Sequence, residues 1–135
     1  MNKNELINPN ARGFAGLIKN IMEPLNQNQE FQKEFKKFKK KYLINAPNLN
    51  HAALITITEG RLKVESIPNK PKSNLKKKVI GWDGFISMDS QIFLALAMDR
   101  ISLLNIVIKW LLGKVKMKGI LKLFSLLKIF NIIKK

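Results

Sequence analysis

The chain has 135 residues, no cysteine, and 25 basic against 9 acidic side chains, a formal net charge of +16. One domain is the default at this length, and a core can be buried without cross-links. The lack of cysteine excludes a disulfide framework, a thiolate nucleophile and a cysteine metal site, and a hydrophobic content of 46% excludes a disordered basic tail. Charge of this size draws anions, whether nucleic acid, an anionic membrane face or an acidic partner, without choosing among them.

Residues 1–10 are polar and lack an apolar run, which reads as a loose leader and argues against a secretory signal. Residues 11–135 read as a single domain. A helix is expected from about Ala11 to Met22, with Phe14, Ile18, Ile21, Met22 and Leu25 on one side and Pro24 at its end. A second helix is expected from about Asn28 to Lys41, because Phe31, Phe35, Phe38 and Tyr42 recur on one helical face with lysines on the others. That stripe reads better as a core face with a solvated back than as a docking helix.

Leu43–Asn45 suggests a short strand. His51–Thr58 and Arg61–Ser66 alternate, and Glu59-Gly60 between them is a hairpin turn. Ile67–Lys78, with two prolines and five lysines, reads as a mobile loop. Val79–Met88 contains a further strand. Asp89 fits the N-cap of a helix over Ser90 to about Met98, and Ser102 that of Leu103–Leu112, which Gly113 closes. Lys114–Lys118 has a period of two, and Ile120–Ile133 is a last helix. Together these elements predict one antiparallel or mixed sheet with helices on one face.

Catalytic chemistry has little to stand on. His51 is the one histidine, and no Gly-x-Ser-x-Gly elbow, phosphate loop or His-Glu-x-x-His motif occurs. Asp83 and Asp89, if on one strand, would stand about 20 Å apart, too far for a catalytic pair. An enzyme is therefore not expected.

The last third is distinctive. No acid follows Asp99, whereas Arg100 and eight lysines do. In Ile120–Ile133 only Lys122, Ser125, Lys128 and Asn131 are polar, and in Leu103–Leu112 only Asn105 and Lys109. Helices on a sheet need an apolar arc only somewhat over a quarter of the circumference. These have more apolar surface than one sheet face covers, and the surplus must meet another helix, a partner, a membrane or a bound apolar molecule. Ile101–Leu112 is the longest apolar stretch, and it falls short of the roughly 20 residues that span a bilayer.

The segment Trp82-Asp83-Gly84-Phe85-Ile86-Ser87-Met88-Asp89-Ser90-Gln91-Ile92-Phe93 resembles the sterol carrier protein family, whose central strand runs into an acid-capped helix. Gly113-Lys114-Val115-Lys116-Met117-Lys118-Gly119, followed by an apolar helix, is similar to the same family at the matching spacing, and the hairpin Leu54–Val64 fits its earlier strand pair. The sequence departs from the family at Ile120, where a polar residue is usual. The resemblance covers roughly Phe14 to Ile133 and is to the type 2-like domain. It implies an α/β (α+β) fold: a five-stranded, largely antiparallel sheet, helices over one face, and an apolar tunnel between them. It further implies non-catalytic binding, and transfer or presentation, of lipids, sterols or fatty acyl chains, with no cofactor.

On that reading the ligand is lined by Phe93, Leu96, Ala97, Leu104, Val107, Ile108, Leu111, Leu123, Phe124, Leu127 and Phe130. Burial yields about 0.8 kcal/mol per methylene, so affinity needs no polar site. Lys114, Lys116 and Lys118 share the outward face of their strand and are expected to touch anionic membrane surfaces, although lysines there also protect a sheet edge. A cytoplasmic location is expected. Two other readings are a basic nucleic-acid-binding module, for which three arginines supply little base readout, and an interaction subunit that packs its C-terminal helices on a partner. The oligomeric state is left open.

Overall fold

A computed structural model describes residues 3–97 and 112–133. They build one five-stranded sheet from β1 (Lys39–Asn45), β2 (His51–Thr58), β3 (Arg61–Pro68), β4 (Gly84–Ser87) and β5 (Lys116–Lys118), in the order β3-β2-β1-β4-β5. Neighbours are antiparallel except β1 and β4, which run parallel. The sheet is thus mixed and largely antiparallel, as the sequence predicts.

Alternation along the strands decides both faces of this sheet. Tyr42 and Ile44 of β1, Ala53, Ile55 and Ile57 of β2, Leu62 and Val64 of β3, and Ile86 of β4 enter the main core. Over that face lie α2 (Phe14–Met22), α3 (Gln29–Glu34), α5 (Ser90–Ala97) and α6 (Ile120–Ile133). Phe14 and Phe93 meet edge to face at 5.3 Å and join α2 to α5. At the hairpin tip Glu59 and Gly60 both have positive φ, 52° and 76°, the geometry that matches the twist of the flanking strands. A β-carbon on Gly60 would stand 2.7 Å from the Gln32 carbonyl oxygen, so a side chain there would push α3 off the hairpin.

The opposite face is not bare. Leu43, Ala52, Leu54 and Ile67 form a second, smaller core with Leu6, Leu75, Ile80 and Trp82. This corrects three expectations. The leader is held: Leu6, in the short α1 (Lys3–Leu6), is buried, and Asn8 exchanges two backbone hydrogen bonds with Ser66 (2.8 and 2.9 Å). The segment expected as a mobile loop carries a 3₁₀ turn, Lys72–Leu75, and α4 (Lys77–Ile80), whose leucine and isoleucine cover the sheet. Helical cover therefore lies mainly, not wholly, on one face.

The second expected helix is also shorter. Asn28 caps α3 by accepting the Phe31 N–H at 2.9 Å, but the helix stops at Glu34 and β1 begins at Lys39. β1 lies between β2 and β4 and buries side chains on both faces, Tyr42 and Ile44 on one and Leu43 on the other. A helix carrying these residues would satisfy neither pairing. The aromatic stripe survives the change of backbone, since Phe31, Phe35 and Tyr42 are all buried in the main core. The strand expected within Val79–Met88 is β4, and it starts after Gly81, which takes a left-handed conformation (φ 80°) and closes α4. The expected helix Leu103–Leu112 lies outside the described residues save for Leu112.

Candidate functional site

The site foreseen from the sequence centres on α6, which has the expected limits, Ile120–Ile133. Its sheet-facing side is Leu123, Leu126, Ile129 and Ile132, all buried. Each follows a polar position by one residue, so Lys122, Lys128 and Asn131 stay in solvent. The polar stripe is narrow, so the apolar arc runs on past the buried side: Ile120 is 39%, Leu121 82% and Phe124 54% exposed, and Leu112, ahead of β5, is 68% exposed. A surplus of apolar surface, as the composition of α6 requires, is present.

Asp83 fixes the start of α6 to the sheet. Its backbone N–H donates to the Lys41 carbonyl (2.7 Å), its Oδ2 accepts the Lys41 N–H (2.9 Å), and its Oδ1 lies 3.8 Å from Lys122 Nζ on α6. Gly119, in a left-handed conformation, lets the chain pass directly against the Asp83 carbonyl. Beneath α6 the Tyr42 hydroxyl is buried without a well-formed hydrogen bond. Burial pushes its pKa above the ordinary tyrosine value of 10.0; the nearby Ser125 hydroxyl opposes this and the Asp83 charge adds to it. At the start of α5, Asn48 supplies the described cap: its Oδ1 accepts the Ser90 N–H (3.0 Å) and its amide donates to Ser90 Oγ (2.9 Å). Asp89, expected as the cap, contributes its backbone carbonyl to Ile92 and Phe93.

Of the expected lining, Phe93 and Leu123 are brought together in the main core, and Leu127 is half-buried. Phe124 follows Leu123 by about 100° around the helix and is exposed to solvent, while Leu123 takes the sheet side. Leu96, Ala97 and Phe130 belong to α5 and α6 by backbone, with side chains outside the described set, and Leu104, Val107, Ile108 and Leu111 lie wholly outside it. Leu112, Ile120 and Leu121, which are exposed as Phe124 is, were not among the residues expected from the sequence. Lys114, Lys116 and Lys118 are exposed, with Val115 buried and Met117 half-buried between them. Among the described residues no three His, Cys, Asp or Glu side chains gather to hold a metal ion, and no helix is long and apolar enough to cross a membrane.

No protein-family model and no curated protein matches the sequence. Solved structures do. The ubiquinone synthesis protein UbiJ-SCP2 superposes with a TM-score of 0.58 at 8% identity, over 92% of this chain and 90% of its own. A Thermus thermophilus protein described as a possible sterol carrier protein gives 0.57 at 12%, over 89% and 80%. The stereoselective inverting sec-alkylsulfatase Pisa1 from Pseudomonas sp. gives 0.53 at 16%, and there the chain spans only 14% of the enzyme's length. The fold is that of the sterol carrier protein domain.

Proposed function

We propose that the chain is a non-catalytic carrier that binds lipids, sterols or fatty acyl chains against α6 and transfers or presents them. The observation that carries this reading is the set of large apolar side chains left in solvent on α6, Ile120, Leu121 and Phe124, with Leu112 exposed as well, on a protein of net charge +16. Ile120 and Phe124, and Leu121 and Phe124, are neighbours on the helix surface by their spacing of four and three, and contiguous exposed apolar surface marks a binding surface. Two proteins of the same fold are described as a ubiquinone synthesis protein and a possible sterol carrier protein, which supports an apolar guest.

In this reading the guest lies along α6, with Leu127, Phe130, Leu96 and Ala97 deepening the lining and Leu104, Val107, Ile108 and Leu111 completing it. Lys114, Lys116 and Lys118 then hold the protein at anionic membranes, each adding about 1 kcal/mol near the surface. Exchange follows from bringing the apolar side of α6 to the bilayer boundary.

Titration with a fluorescent fatty acid tests the reading. Leu121→Asp and Phe124→Asp act at exposed positions, so the fold survives. Binding weaker by about tenfold or more is expected, since each change replaces an apolar contact by a charge that must be desolvated. Unchanged binding in both variants contradicts the assignment.

A further inference from the structure

Beyond the carrier surface on α6, a groove of about 700 Å³ opens where β4 and β5 meet α4. Its floor includes Trp82 and Phe85, stacked with centroids 5.4 Å apart and planes tilted by 33°. Phe85 points to the sheet face opposite Ile86, and therefore away from the core that α6 covers. The Trp82 indole N–H donates to the Leu75 carbonyl at 2.8 Å, which holds the ring in place.

Lysines form both rims. Lys72, Lys76, Lys77 and Lys78 stand on the side of the 3₁₀ turn and α4. Lys114, Lys116 and Lys118 stand on the side of β5, where Lys118 is paired in register with Phe85. Two ammonium groups reach over the floor from opposite sides: Lys77 Nζ lies 5.7 Å from the Trp82 ring and Lys118 Nζ 6.0 Å from the Phe85 ring. Among the described residues Asp89 is the one acid lining the groove. Seven like charges around one concavity repel each other, against that single counter-charge. The volume falls within the range of small-molecule sites, roughly 300–1,000 Å³. An apolar aromatic floor under a cationic rim matches a molecule with an apolar body and an anionic head.

We propose that this groove binds one small phosphate-headed amphiphile, its apolar part on Trp82 and Phe85 and its phosphate between the Lys77 and Lys118 rims. The site is separate from the apolar surface of α6 and shares with the carrier reading only Lys114, Lys116 and Lys118. It gives the lysines of β5 a defined ligand, shared with those of α4.

Trp82 is its own reporter, because Trp110 is the only other tryptophan. In a Trp110→Phe background, dihexanoyl phosphatidic acid is titrated below its micelle concentration while Trp82 emission is followed. Dihexanoyl phosphatidylcholine and inorganic phosphate serve as the comparison arms. A saturable change with phosphatidic acid is expected, with affinity about tenfold lower or worse for each comparison ligand, because charge-assisted contacts and apolar burial are both needed. Lys77→Glu with Lys118→Glu, both exposed, weakens binding by a similar factor, whereas Phe124→Asp leaves it unchanged. Equal affinity for phosphatidylcholine or for inorganic phosphate overturns the proposal. So does indifference to the double charge reversal, and so does loss of binding in Phe124→Asp, which would place the ligand at α6.

Discussion

Leu123 of α6 rests on the bare backbone of Gly84 in β4. A β-carbon at Gly84 would stand 2.7 Å from Leu123 Cδ2 and 3.1 Å from Tyr42 Cδ1. The position of the apolar helix over the sheet is thus set by a side chain that is not there. Gly84→Ala must displace both neighbours, and a loss of about 1–3 kcal/mol is expected from overpacking. Urea unfolding monitored by circular dichroism measures it.

Asp83 joins β1, β4 and α6 through one carboxylate, and its two contacts can be separated. Asp83→Asn keeps an acceptor for the Lys41 N–H but loses the pairing with Lys122. Both partners of that pair are partly exposed, so its loss costs well under about 1 kcal/mol. Asp83→Ala removes the hydrogen bond as well and is expected to cost about 1–3 kcal/mol. Denaturant midpoints of the two variants should rank Asn above Ala.

Asn69 is buried, and its amide nitrogen sits among three oxygens: Asn45 Oδ1 at 2.9 Å, the Ala46 carbonyl at 3.1 Å and the Leu49 carbonyl at 3.0 Å. Only a donor fits that environment. Asn69→Asp places an oxygen against oxygens, so it either loses the contacts or buries a proton to keep one. A loss of about 3 kcal/mol or more is expected at neutral pH, shrinking as the pH falls and the new carboxyl protonates. Thermal unfolding at neutral and acid pH checks both parts.

Tyr42 supplies a pH dependence at the alkaline end. Its pKa is raised in the folded state, chiefly by burial, so the unfolded chain gives up the proton first. The contribution is therefore intact below the unfolded value of 10.0 and is lost as pH climbs through the higher folded one. Tyr42→Phe should abolish that decline. At neutral pH it should cost about 1 kcal/mol or less, because the hydroxyl it removes has no well-formed bond. Stability measured from pH 8 to about 11 separates the two proteins.

Elements whose signal is local were legible in the sequence. The hairpin turn at Glu59-Gly60, the alternation around β5 and the limits of α6 are each written in a few adjacent residues. Elements that depend on distant pairing were not. Phe38 and Tyr42 continue a helical stripe by local period, with Lys39–Lys41 on its solvated back, and only β2 and β4 on either side draw this segment into β1. Leu75, Ile80 and Trp82 are isolated apolar residues in a basic segment, and nothing local shows that they close the second core. The width of the apolar arc on α6 foretold exposed oil but not which residues carry it. Phe124 is solvent-facing because Leu123 is the residue that fits over Gly84. The groove between α4 and β5 escaped the sequence altogether, since its two rims lie more than thirty positions apart.

Whether the protein holds a greasy molecule is read most directly by native mass spectrometry of the purified chain, followed by solvent extraction of what travels with it. The account predicts added mass that matches an extractable lipid, sterol or fatty acid and that falls away in Phe124→Asp. A chain that flies at its bare sequence mass, and stays bare after incubation with fatty acids and phospholipids, contradicts it.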